Sequence, residues 1–143
     1  MTRAASFFLG RRALASALAV LVLAVTVPAF AGSYLNRALL LLSGGSREAA
    51  YLRSHLGDKE LARVTYRLAD ARLLAARSMT VPKEVENAHP HLLLVLEHYS
   101  VAAEAATLGD TERFAQFHLR ALDEERAFKV VLKQLGWVLP EGK

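Results

Sequence analysis

The residues best equipped for chemistry are four histidines and three glutamates in the second half of the chain: His89, His91, His98 and His118, with Glu97, Glu104 and Glu124. Imidazole and carboxylate are metal ligands, and Glu86 to His89 spells E-x-x-H. Carboxylate-bridged di-iron bundles use that motif twice, with two further inward glutamates. Here it occurs once and runs straight into Pro90. His91 and His98 stand seven residues apart, about 10 Å along a helix, whereas ligands of one zinc ion lie about 2 Å from it. Those two cannot share a metal. A cross-helix arrangement remains: if the chain reverses at Gly109, His98 comes near His118, with Glu97 and Glu124 within reach. These four residues form the candidate metal site. The plainer reading is that histidines and carboxylates on helix surfaces need no metal, and that His89 and His91 satisfy free backbone groups at a helix start beside Pro90.

Other chemistry finds less support. The chain has no glycine-rich phosphate loop, no G-x-S-x-G elbow, no H-E-x-x-H and no serine placed with a histidine as an activated nucleophile. It also lacks cysteine entirely, which removes disulfides, thiolate metal sites, c-type haem attachment and thiol nucleophiles. No catalytic residue, cofactor-binding residue or cofactor is expected.

The elements that must position these residues are helical. Alternating apolar and polar runs of strand length are missing, and β-branched residues are sparse after residue 31. Leu35, Ala38, Leu42, Gly45, Ala49, Leu52 and Leu56 recur at spacings of three and four, predicting one helix from about Ser33 to Leu56, weakened or kinked at Gly44 and Gly45. The competing expectation is two short helices around a Ser-Gly loop. A second helix is expected from Lys59 to about Ser78, with Leu61, Val64, Leu68, Ala71 and Ala75 inside and Arg63, Arg67, Arg72 and Arg77 on solvated faces.

Pro90 should separate a turn over residues 82–88 from a third helix, 90–108, that buries Leu92, Leu96, Tyr99, Ala103 and Ala106, with Val95 and Ala102 beside them. The fourth helix, from Thr111 to about Leu135, carries Phe114, Phe117, Ala121, Phe128, Val131 and Leu135 on one side. Extending that stripe lands on Glu124. A carboxylate at a core-facing position breaks the pattern, and such breaks concentrate at functional sites. Past Gly136, Trp137 is expected to fold back as a hydrophobic lid, with no polar cluster beside it to make a pocket.

Two turns, Leu56 to Glu60 and Leu108 to Glu112, share the pattern L-G-D-x-E at a separation of 52 residues. They predict an all-α, antiparallel four-helix bundle of two stacked hairpins. Convergence on good capping residues explains the likeness more simply than duplication does.

Residues 1–31 carry the features of a signal peptide. Arg3, Arg11 and Arg12 precede an apolar run from Ala13 to Val27, and Pro28 leads to Ala29, Phe30 and Ala31, an A-x-A cleavage site defined by Ala29 and Ala31. The rival is an uncleaved inner-membrane anchor, since residues 13–31 are 19 without a charge and a span needs about 20. With no cysteine there is no lipid attachment. Removing the leader leaves fifteen basic against fourteen acidic residues, so the formal charge falls from +4 to +1 and nucleic-acid binding loses its main argument. A single domain of residues 32–143 remains, long enough to bury its own core. The expectation is a periplasmic or secreted, non-catalytic binding or structural module of a bacterial cell envelope, with a protein partner or a second copy. The metal or small-ligand bundle using His98, His118, Glu97 and Glu124 is the alternative.

Overall fold

The computed structural model describes residues 9–140, with side chains from Ala31 onward. All its regular structure is helical: α1 (Leu9–Arg53), α2 (Lys59–Arg77), α3 (His89–Leu108) and α4 (Thr111–Gln134), with a 3₁₀ turn at Lys83–Val85. Apart from the helical backbone of 9–30 and Ala31, the expected leader, Ala29 included, lies outside the described residues. Among the described residues no helix is long and apolar enough to cross a membrane.

The four helices pack against one another, and α3 is the hub. It lies along α4 and α2 over most of its length and touches α1 more briefly. Its neighbours on α4 run in opposite order, with His91 meeting Glu124, His98 meeting Phe117 and Tyr99 meeting His118. The α1 stripe is buried throughout from Leu35 to Leu52, and every position expected inside α3 is buried. On α4, Phe114, Ala121 and Phe128 are buried as expected, but Leu132 takes the inner place and Leu135 is exposed.

The starts of α2, α3 and α4 follow the sequence closely, whereas α1 begins at Leu9, well before the expected Ser33. Asp58 and Asp110 each accept a hydrogen bond from the backbone three residues on, Leu61 and Arg113, at 2.9 Å. The stops do not match each other. Gly109 closes α3 with φ of 77°, a conformation that glycine adopts without strain, whereas Gly57 has no positive φ and α1 ends earlier, at Arg53. There the turn is held by Ser54 Oγ and His55 Nδ1–H, both donating to the Tyr51 carbonyl at 2.9 Å. Two turns of like sequence thus have different backbones, which fits convergence better than duplication.

Neither a break nor a loop interrupts α1 at Ser43 to Ser46. It runs on as one helix with both glycines buried. The glycines allow close approach: a Cβ on Gly45 would stand 3.1 Å from Tyr99 Cδ2, and one on Gly44 would meet the Arg72 guanidinium at 2.8 Å.

The main correction concerns α2. Its buried residues are Ala62, Thr65, Ala69, Leu73 and Ala76, while Val64, Leu68, Ala71 and Ala75 are exposed and Leu61 is half-buried. The helix is turned about one residue from the orientation its larger apolar side chains suggest. The reason lies on α3, whose second half offers Ala102, Ala103, Ala105 and Ala106. Small residues on both sides let two helices approach closely, and interaxial distance depends on the side chains at the contact.

Candidate functional site

Three polar clasps tie the helices together. On α3, His91 Nδ1–H donates to Glu124 of α4. The inward-leaning carboxylate that broke the α4 pattern therefore has a partner 33 residues away. Two residues before His91, His89 Nδ1 shares a hydrogen bond with the Tyr34 hydroxyl of α1 at 3.0 Å. Burial pushes the Tyr34 hydroxyl well above the ordinary phenol value and lowers His89, so the clasp joins two neutral groups. Neither histidine caps the start of α3, where the N-cap residue Ala88 makes no side-chain bond. Both instead reach across to other helices. The third clasp joins α1 to α2, where Arg72 pairs with both oxygens of Glu48 and lies over Gly44. This arginine is not on a solvated face.

The four candidate metal residues have separate surroundings. Glu97 is exposed, His98 packs against Phe117, Glu124 holds His91, and His118 is buried between Tyr99 and a stacked Phe114. Among the described residues no three of His, Asp or Glu are grouped so as to hold a metal ion. The antiparallel register does bring residues 98 and 99 beside 117 and 118, as hairpin geometry requires. Helix rotation then directs the histidines to different neighbours.

Among the described residues His118 Nδ1 is buried without a hydrogen-bond partner. Burial, helped by the nearby cation of Arg53, holds this imidazole below its ordinary value, as burial alone does for His89. Both groups are therefore neutral in the folded protein. An unfolded chain binds protons at these positions below about pH 6.5 more readily than the folded one, so stability is full above that pH and falls beneath it. The melting temperature is expected to drop as pH is lowered from 7 to 5.5. His118→Phe should flatten part of that fall and cost less than about 1 kcal/mol at pH 7.5, because it removes an unpartnered nitrogen. A melting temperature that holds or rises on acidification contradicts this account.

Two surface features were not legible in the sequence. The first follows from the rotation of α2, which leaves Val64 and Leu68 exposed; with Tyr51 of α1 and, further along, Leu40 they form an apolar stripe where the two helices meet. Shallow grooves lie between α1 and α2 along it, one at Tyr51, Leu61, Val64 and Leu68, another at Leu40, Leu41 and Ala75. Charge is divided along the chain in the same sense. Residues 31–78 hold eight basic and four acidic side chains, net +4, and residues 79–140 hold six and nine, net −3.

The second feature is a cleft of about 580 Å³ between α1, α4 and the C-terminal segment. Gly136, at φ of 83°, ends α4, and Trp137 N–H donates back to the Leu132 carbonyl at 2.8 Å. The segment from Trp137 to Pro140 is thereby turned alongside α1. Trp137 folds back as expected, yet it does so beside Arg47, Lys129 and Lys133, a polar cluster drawn from two other stretches of chain. It walls a pocket after all.

Comparison of the chain with protein-family models, with curated proteins and with solved structures finds no match in any of the three.

Proposed function

We propose that this chain is an exported, non-catalytic binding module of the bacterial cell envelope that applies its α1–α2 face to an anionic bilayer surface. Its architecture is an antiparallel four-helix bundle of two stacked hairpins, residues 32–143, behind a leader of residues 1–31. The observation that carries the reading is the stripe of Leu40, Tyr51, Val64 and Leu68 along the grooves between α1 and α2, whose linings include Arg37 and Arg47. An apolar ridge flanked by arginine is the chemistry of interfacial helices, in which side chains enter the headgroup boundary and each cation near the surface adds about 1 kcal/mol. A symmetric dimer through this face is disfavoured, because it would bring two net-positive surfaces together. The sequence motifs give no support to catalysis. The metal-binding alternative has no observation behind it among the described residues.

Sedimentation with vesicles tests the proposal. The exported protein is expected to bind vesicles containing phosphatidylglycerol more tightly than vesicles of phosphatidylcholine alone, and less tightly as salt rises. Replacing Arg67 and Leu68 together by glutamate should weaken binding about tenfold or more, as loss of a cation and an apolar contact implies. Leu119→Glu, at an exposed α4 position, should leave it unchanged. Equal binding by both variants, or indifference to the anionic lipid, overturns the proposal and leaves an acidic protein partner as the occupant to seek.

A further inference from the structure

The cleft beside Trp137 has a chemistry of its own and shares only Arg47 with the grooves of the α1–α2 face. Its volume, about 580 Å³, falls in the range of small-molecule sites, about 300–1,000 Å³. Leu39 and Leu42 of α1 and Trp137 and Leu139 of the C-terminal segment supply apolar walls. Among the described residues the charge on the rim is unbalanced, with Arg47, Lys129 and Lys133 against the single carboxylate of Glu125. That carboxylate is already engaged: Lys129 Nζ donates to it at 2.7 Å and the Tyr99 hydroxyl at 3.5 Å. Arg47 Nε bonds the Ser43 carbonyl of its own helix, and neither Arg47 nor Lys133 forms an ion pair among the described residues.

From an apolar trough closed on one side by an indole and edged by cations, we infer that the cleft binds a single-chain amphipathic anion, an alkyl or acyl chain bearing one carboxylate or phosphate head. The chain lies along Leu39, Leu42 and Trp137, where burial of its methylenes contributes about 0.8 kcal/mol each. The head sits at Lys133 and Arg47, the rim cations that hold no ion pair among the described residues, while Lys129 balances Glu125. A neutral or cationic amphiphile would gain the first contact and forgo or oppose the second. Selectivity for charge, more than affinity, is therefore the signature of the site.

Trp137 is the only tryptophan in the chain, so its emission reports on this cleft directly. The exported protein is titrated below micelle-forming concentrations with dodecanoate, dodecyl phosphate, dodecanol and dodecyltrimethylammonium. A saturable change in Trp137 emission with one or both anions, at least tenfold tighter than with the alcohol or the cation, is the expected result. The stronger of the two anions identifies the head group. Lys129→Gln with Lys133→Gln should weaken anion binding at least tenfold while the emission of the free protein stays at its native wavelength, because the head group loses Lys133 and Glu125, released from Lys129, then repels the ligand. The Arg67 and Leu68 glutamate variant should bind the anions normally, which separates failure at this site from failure of the α1–α2 reading. No saturable change, or equal affinity for all four amphiphiles, overturns the inference.

Discussion

Replacing Ala62 and Ala69 together by leucine is expected to destabilise the protein by about 2–6 kcal/mol, enough to remove much of a typical folding free energy of about 5–15 kcal/mol. Ala62 is fully buried in the cluster that contains Ala102, Ala103, Ala105, Ala106 and Phe114, and Ala69 is buried one stretch further along the same face of α2. Each leucine inserts three extra carbon atoms between helices whose spacing is set by alanines, at a cost of about 1–3 kcal/mol. The two sites lie about 10 Å apart along the helix, so the effects should add. The paired control is Val64→Ala with Leu68→Ala, which remove larger side chains from the neighbouring face. Because those residues are 53% and 43% exposed, each should cost no more than about 0.5 kcal/mol. Urea unfolding of both double variants decides which face of α2 is inside. If the alanine pair proves the costly one, by about 2 kcal/mol or more per site, α2 has the orientation that its hydrophobic pattern suggests and the exposed stripe does not exist.

Gly45→Leu should be nearly as damaging, costing about 3 kcal/mol or more at the α1–α3 crossing. A Cβ at this position already comes within 3.1 Å of the Tyr99 ring and 3.8 Å of Leu96 Cδ2, and both neighbours are themselves buried. The remaining atoms of a leucine have nowhere to go without moving Tyr99. Displacing Tyr99 also disturbs its contact with His118 and its hydrogen bond to Glu125, so the damage spreads from α3 to α4. Gly44→Ala provides the contrast. Its methyl meets only the end of the Arg72 side chain, which can swing aside, and alanine recovers up to about 1 kcal/mol of helix propensity. The variant should stay within about 1 kcal/mol of the parent while loosening the Arg72 to Glu48 pair. Thermal unfolding of the two variants would refute the close-packing account if Gly45→Leu melted with the parent.

How much of this was legible beforehand differs by element. The inner faces of α1 and α3 and the caps at Asp58 and Asp110 follow from local rules, since periodicity and capping involve residues within a few positions of each other. The glycine pair stands out in the sequence as a weak point of a helix, but its role depends on Tyr99 and Arg72, more than 20 residues away. Glu124 stands out by its place on an apolar stripe, which does not name its partner. Its partner is His91, where sequence spacing had suggested His98 and His118. An antiparallel register narrows such a choice to neighbouring positions, while the rotation of each helix about its axis picks the side chain that makes the contact.

From the sequence alone follow the helical class, the starts of α2, α3 and α4, and a core without disulfides. Each of these depends on composition or on contacts within one turn. Only the tertiary structure decided which side of α2 is buried, because apolar size favours one face and the alanines of α3 accept the other. It also decided that Trp137 borders a cationic cleft. Arg47, Lys129 and Trp137 meet there through the turn at Gly136 and the packing of the helices, and no spacing along the chain encodes that meeting.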